Sequence, residues 1–408
     1  MTDEESPIEI KDNNPISNGE YLTTEDESHA VKVDDGVTGY INNASVMTSG
    51  DGSYGISVDS QNKVLYISDS DIKTSGSVSD KENRGITASA VSSRVGHIQR
   101  DFCQVNDSEK MVNNTRLETT DKTNIVTSGE NAVGVLACSS PGESRTCVDA
   151  VDDEVSDSNS YEVISRADLK MNGGSITTNG INSYGAYANG KKAYINLDYV
   201  ALETVADGSY AVAIRQGNID IKNSSITTTG TKAPIAKIYN GGELFFSNVT
   251  AVSKQDKGIS IDASNIDSQA KIALLSVELS SALDSIDVNK TTTDVSILNR
   301  SIITPGNNVL VNNTGDSIIN LSYDDGQTFT QGKTLTVKGN YVGNNGQLNI
   351  RTVLGDDKSA TDRLIVEGNT SGSTTVYVKN AGGSGAATLN GIELITVNGD
   401  ESPADAFR

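Results

Sequence analysis

The sequence predicts an all-β protein, a right-handed parallel β-helix with three sides and about 25 residues per coil. Three observations carry that prediction. A repeat centred on a small residue runs through at least the first 260 positions. Short segments rich in Val, Ile, Thr and Tyr, with alternating apolar residues, are interrupted by Gly, Asn, Asp and Ser. Apolar spacing at i, i+3, i+4, the mark of a helix, is rare.

The repeat is plainest in SVMTSGDGSYGI (Ser45–Ile56) and SITTNGINSYGA (Ser175–Ala186). Related copies begin at Asn124, Val200 and Ser225, with weaker ones at Asp71 and Asn248. The aligned slot holds Gly50, Gly76, Gly129, Gly180, Ala206, Gly230 and Ser253, at intervals of 26, 53, 51, 26, 24 and 23 residues. One such period accommodates three short strands and three turns. Each coil then buries its inward side chains only by stacking on its neighbours. Small residues in Gly185–Ala188 and Tyr210–Ile214 suit a narrow lumen, and Asn172, Asn223, Asn248 and Asn313 suit turns that need the left-handed region. A β-propeller and stacked sandwiches are the competing all-β architectures.

Two intervals are close to twice the others, and insertions are expected there, near 77–123 and 137–174. The first includes Arg84, Arg94, His97, Arg100 and Cys103; the second includes Cys138, Cys147 and the acidic run Asp149–Asp157. Insertions in a solenoid emerge as loops on one face, where function often sits.

Composition narrows the function. Acids outnumber Lys and Arg by 54 to 32, for a net charge of −22, and 35% of residues are hydrophobic. The chain is too apolar and too regular for disorder, and an acidic surface repels phosphate polymers, so no nucleic-acid partner is expected. No apolar run approaches the roughly 20 residues of a membrane helix. The first residues, Met1 to Ser6, are polar where a secretion signal is basic and then apolar.

The last seventy residues hold the most specific signal. Gly339-Asn340-Tyr341, Leu354-Gly355-Asp356-Asp357, Thr361-Asp362-Arg363-Leu364, the run Asn380 to Gly385 and Gly391 to Ile395 follow one another in that order. Together they resemble the junction that ends the passenger of an AIDA/pertactin-like autotransporter adhesin, exported by type V secretion in a Gram-negative bacterium. The resemblance implies two parts: 1–325, a β-helical passenger, and 326–408, an autochaperone-like junction that caps the solenoid. It implies display outside the cell, with membrane anchoring only through a β-barrel absent from this chain. A C-terminal folding nucleus is also expected, because a parallel solenoid pairs strands from different coils and nucleates slowly.

In such passengers closely spaced cysteines form small loops, which implies a disulfide between Cys138 and Cys147, around the polar Ser139–Thr146 segment. Cys103 is then left over, either a tolerated thiol or a link to another chain.

No catalytic residues are assigned. A serine-protease site needs a Ser nucleophile with His and Asp, and only His29 and His97 exist, without a Gly-Asp-Ser-Gly setting. Acid pairs such as Asp69/Asp71, Asp149/Asp152/Asp153 and Asp356/Asp357 could serve a sugar-cleaving β-helix, yet among 54 acids such pairs arise on solvated turns by default. Three Cys and two His lack zinc-like spacing, and no EF-hand-like loop exists, so no metal or cofactor is assigned. The expected activity is adhesion, to a host extracellular-matrix protein or a glycosaminoglycan; self-association leading to aggregation and biofilm is the alternative. The expected ligand line is the set of variable positions just after the slot: Asp51, Glu130, Asn131, Asn182, Asp207, Lys232, Lys254 and Asp256.

Overall fold

A computed structural model describes residues 8–12, 14–26, 28–33, 37–59, 64–77, 89–94, 112–120, 122–139, 164–262, 269–289, 292–298, 302–305, 307–313, 318–320, 329, 332, 334–337 and 339–408. Two compact units divide the chain, Met1–Ala233 and Pro234–Arg408. Both are built from parallel strands stacked coil on coil, and no described residue is helical.

One coil of the first unit shows the plan. Ser175–Thr178 forms a first face, Tyr184–Asn189 a second and Ala193–Asp198 a third. On the first face Ser45–Thr48, Asp71–Thr74, Asn124–Thr127, Ser175–Thr178, Ala201–Thr204 and Ser225–Thr228 pair in that order, residue on residue. Direct pairing of Asp71–Thr74 with Asn124–Thr127 makes the 53-residue interval a single coil. Its second and third faces are Ser89–Arg94 and Val112–Thr120.

Alternation explains the core. On the first face Val46, Ile72, Ile125, Ile176, Leu202 and Ile226 point inward and are buried. Two residues on, Thr48, Thr74, Thr127, Thr178, Thr204 and Thr228 make a second inward column, also buried. Branching at Cβ suits the pleated stack, yet the hydroxyls of Thr48, Thr74, Thr127, Thr178 and Thr228 find no hydrogen-bond partner among the described residues. A buried hydroxyl without a partner costs about 1–3 kcal/mol. Thr178→Val keeps the shape and removes the cost, so it is expected to stabilise by about 1 kcal/mol in chemical denaturation. A loss of stability would show that the hydroxyl is bonded.

The slot following the first face is closed by backbone contact. A Cβ on Gly76 would overlap the Gly50 carbonyl; one on Gly129 would overlap Gly76, and one on Gly180 would overlap Gly129. The turn that leads into the first face uses the left-handed region at Asn18, Asn43, Asp69, Asn223 and, in the second unit, Asn248. At the coil of Asn172 that conformation falls instead on Gly173 (φ 82°), while Asn172 ends the strand Ile164–Asn172. Asn313 likewise ends a strand, Leu310–Asn313.

The second unit repeats the plan with strands such as Ala236–Tyr239, Gly242–Ser247 and Thr250–Ser253. Toward its end two long strands, Tyr341–Thr352 and Thr370–Asn380, replace pairs of shorter ones. Tyr341–Thr352 alone pairs with both Leu310–Asn313 and Ile318–Asn320. A bulge at Asn344–Gly346, with Asn345 at φ 61°, bends it. Thr334–Val337, Arg363–Val366 and Ile395–Val397 form a separate three-stranded sheet.

Candidate functional site

The positions after the slot do come together in the first unit, and the fold makes use of them. Asn131, Asn182 and Lys232 occupy the left-handed position of the turn at φ 58°, 54° and 51°, where neighbouring coils carry Gly52 and Gly208. Asp51 Oδ1 accepts the Ser77 amide at 2.8 Å, and Asp207 Oδ1 accepts that of Thr231 at 2.8 Å. Bonds from Thr231, backbone first, hold the Asp207 carboxyl below the usual range. The Glu130 amide donates to Ser77 Oγ at 3.1 Å. The carboxylates of Asp51 and Asp207 therefore tie one turn to the next, while Asn182, Asp207 and Lys232 stay exposed. In the second unit Lys254 is exposed, and the half-buried Asp256 donates its amide to Ser253 Oγ at 3.2 Å.

A second surface is the outward side of the third face. Register aligns Tyr40, Tyr66, Glu118, Lys170, Asn196 and Asp220 in one column, and Val64, Arg116, Asp168, Tyr194 and Asn218 in the next. Tyr40 and Tyr66 stack with ring centres 5.4 Å apart. Arg116 Nε donates to Glu118 Oε1 at 2.8 Å, Lys170 Nζ lies 3.4 Å from the same oxygen, and Arg166 Nε donates to Asp168 Oδ1 at 2.6 Å. Tyr194 gives its phenol proton to Asp220 at 2.7 Å; burial and then that bond push the phenol up to about 12. The charged residues of these strands are Arg116, Arg166, Lys170 and Lys222 against Glu118, Asp168, Asp198 and Asp220, which cancel. On a chain of net charge −22 this is a neutral, hydrogen-bonding strip.

Cys138 is buried and disulfide-bonded. Cys103 and Cys147, like His97 and the acidic run at 149–157, lie outside the described residues. Among the described residues no cluster of His, Cys, Asp and Glu could hold a metal ion. Asp149, Asp152 and Asp153 lie outside the described residues, and the described acid pairs have structural partners: Asp71 accepts Asn124 Nδ2 at 3.0 Å, and Asp356 accepts the Lys358 amide at 3.0 Å.

The junction motifs of the second unit have physical reasons. Asn340 Oδ1 accepts the Asn369 amide at 2.9 Å, and Tyr341 is buried against Phe407 with ring centres 5.3 Å apart. Gly382, Gly383 and Gly385 take positive φ, and a Cβ on Gly383 would overlap the Leu354 carbonyl. Asp357 accepts the amides of Leu389, Asn390 and Gly391 at 3.0, 3.3 and 3.0 Å. Those bonds, that from Leu389 foremost, hold its carboxyl below the ordinary range. A depressed folded value means that the tether is present above the unfolded value near pH 4 and is lost as pH falls through the lower folded value. The Leu389 amide is thus expected to lose hydrogen-exchange protection in acid, and Asp357→Asn to remove that pH step; a pH-independent Leu389 amide in the parent would contradict the tether.

Comparison with known proteins agrees with this geometry. Residues 308–408 match the family described as Autochaperone Domain Type 1. "Uncharacterized protein YuaQ" of Escherichia coli strain K12 is 57% identical over 74 residues, 18% of this chain and 5% of that relative. "Adhesin BmaC autotransporter" of Brucella suis biovar 1 is 54% identical over 66 residues, 16% of this chain and 2% of the relative. "Autotransporter adhesin AIDA-I" of Escherichia coli is 47% identical over 70 residues, 17% of this chain and 5% of the relative. The chain thus spans only a small part of the curated relatives it matches. Parallel β-coils that run into a type 1 autochaperone domain, the latter matched beside stretches shared with proteins named as autotransporters, make this chain an autotransporter passenger domain.

Proposed function

We propose that this passenger is a non-enzymatic adhesin, displayed on the bacterial surface, which holds host extracellular-matrix glycoproteins or glycosaminoglycan chains against an exposed face of its β-helix. Two of the matched relatives are named adhesins, which supports the general role. The observation that carries the ligand class is the third-face strip. There Arg116, Arg166 and Lys170 interrupt the acids beside Asn196 and Asn218, so a polar partner meets no net repulsion. Strands about 4.8 Å apart repeat those groups at a spacing an extended polymer can follow.

Adhesion to immobilised matrix proteins and glycosaminoglycans tests the reading. Replacing Arg116, Arg166 and Lys170 together by Glu is expected to lower binding about tenfold or more, since the strip then repels acidic partners. Reversing Asp207, Lys232 and Asp256 together tests the line after the slot in the same assay. Unchanged binding removes whichever surface was altered. A concentration-dependent dimer with no binding to any matrix protein or glycan would favour self-association instead.

A further inference from the structure

We propose that Tyr199 and the turn around it form a ledge that binds a neutral sugar residue; the inference rests on the adhesin reading and names a ligand class for it. The turn into the first face has one backbone design. Amides of Asn18, Asn43, Gly173 and Tyr199 donate to the carbonyls of Asn42, Ser68, Asp198 and Lys222, at 3.2, 3.1, 2.8 and 3.1 Å. At this position φ is positive in every case: 53°, 52°, 82° and 56°, with Asp69 and Asn223 at 47°. Such a conformation suits Asn, Asp and Gly and strains a bulky aromatic side chain. Tyr199 is the aromatic exception in the series.

Packing does not compensate, because Tyr199 is 64% exposed. A strained residue with no burial in return points to a surface role. Its surroundings suit a sugar. One coil earlier the same turn is Gly173-Gly174, and those two positions add no side chain. One coil later Asn223 Nδ2 donates to Asp198 Oδ1 at 2.8 Å, so a paired carboxylate and amide join the residue that precedes Tyr199 to its counterpart in the next turn. A sugar can set its C–H face on the phenol ring, whose electron-rich face attracts it, and turn its hydroxyls to Asp198, Asn223 and Asn172. Asp198 and Lys222 offset each other in charge, so the ledge gives sulfated or uronic sugars no advantage over neutral ones.

Tyr199→Asn supplies the residue that the backbone favours and removes the ring. The variant is expected to unfold at a higher temperature than the parent and to bind an array of neutral oligosaccharides about tenfold or more weakly, the scale of one lost anchoring contact. Tyr199→Phe is expected to keep most of that binding. Equal array binding by parent and Tyr199→Asn overturns the ledge, as does a parent that binds no neutral oligosaccharide. Enzymatically deglycosylated matrix proteins separate the two readings. If the parent still adheres to them while binding no neutral sugar, the ledge falls and the adhesin stands; if it adheres to neither treated nor untreated matrix, the adhesin reading itself falls.

Discussion

Gly129→Val is expected to lower the unfolding free energy by about 3 kcal/mol, at the upper end of what overpacking costs. The glycine does not have a left-handed φ, so the cost is steric. A Cβ there would lie on the Gly76 carbonyl, and the Gly129 carbonyl in turn faces the Cα of Gly180. Separating the coils locally would stretch the hydrogen bonds of the flanking first-face strands, which set the coil spacing. Ala206 occupies the same slot, which shows that a single methyl can be absorbed. Gly129→Ala is accordingly expected to cost about 1 kcal/mol. Chemical denaturation of the two variants measures the difference. A valine variant with the parent's midpoint would mean that the coils part without penalty.

The other large effect is expected in the autochaperone domain. Asp362 is fully buried; its Oδ2 accepts the Arg351 amide at 2.9 Å and lies 3.9 Å from Arg351 Nε, while its own amide donates to the Arg351 carbonyl at 2.8 Å. The Arg351 guanidinium also sits over the Phe329 ring at 4.8 Å. Asp362→Ala leaves a largely buried cation without its carboxylate, a change that costs about 3–5 kcal/mol. If this domain nucleates the solenoid, the variant also refolds more slowly after dilution from denaturant, and removal of Gly339–Arg408 slows or abolishes refolding of the rest. Parent-like refolding by both proteins would confine the domain to a passive cap.

Much of this architecture was legible in the residues because its causes repeat. Gly50, Gly76, Gly129 and Gly180 recur because each meets the carbonyl of the one before, and a cause that recurs leaves a period. Thr361-Asp362-Arg363-Leu364 was legible as a motif, and the structure supplies its reason in a buried carboxylate and a buried leucine. The third-face strip was not legible. Arg116, Lys170, Asn196 and Asp220 belong to one neighbourhood, yet each stands 24 to 54 residues from the next along the chain, across coils of unequal length. Only register assembles them. Tyr199 was hidden for a different reason: an exposed tyrosine is ordinary, and only its backbone angle sets it apart.

The one-residue-on-one-residue register of the first face also governs how such a chain can change over generations. Loss or gain of a single residue within Ser175–Thr178 would turn Ile176 and Thr178 outward and bring Ser175 and Thr177 into the lumen, as any slip of one does in a pleated strand. Loss or gain of a whole coil leaves every remaining contact of the same kind in place, because each coil meets only its two neighbours. Extra residues are also accommodated between strands, as in the 53-residue coil that ends at Gly129. Lineages of this passenger are therefore free to lengthen in steps of about 25 residues or to vary their loops, and selection should remove almost every other change of length.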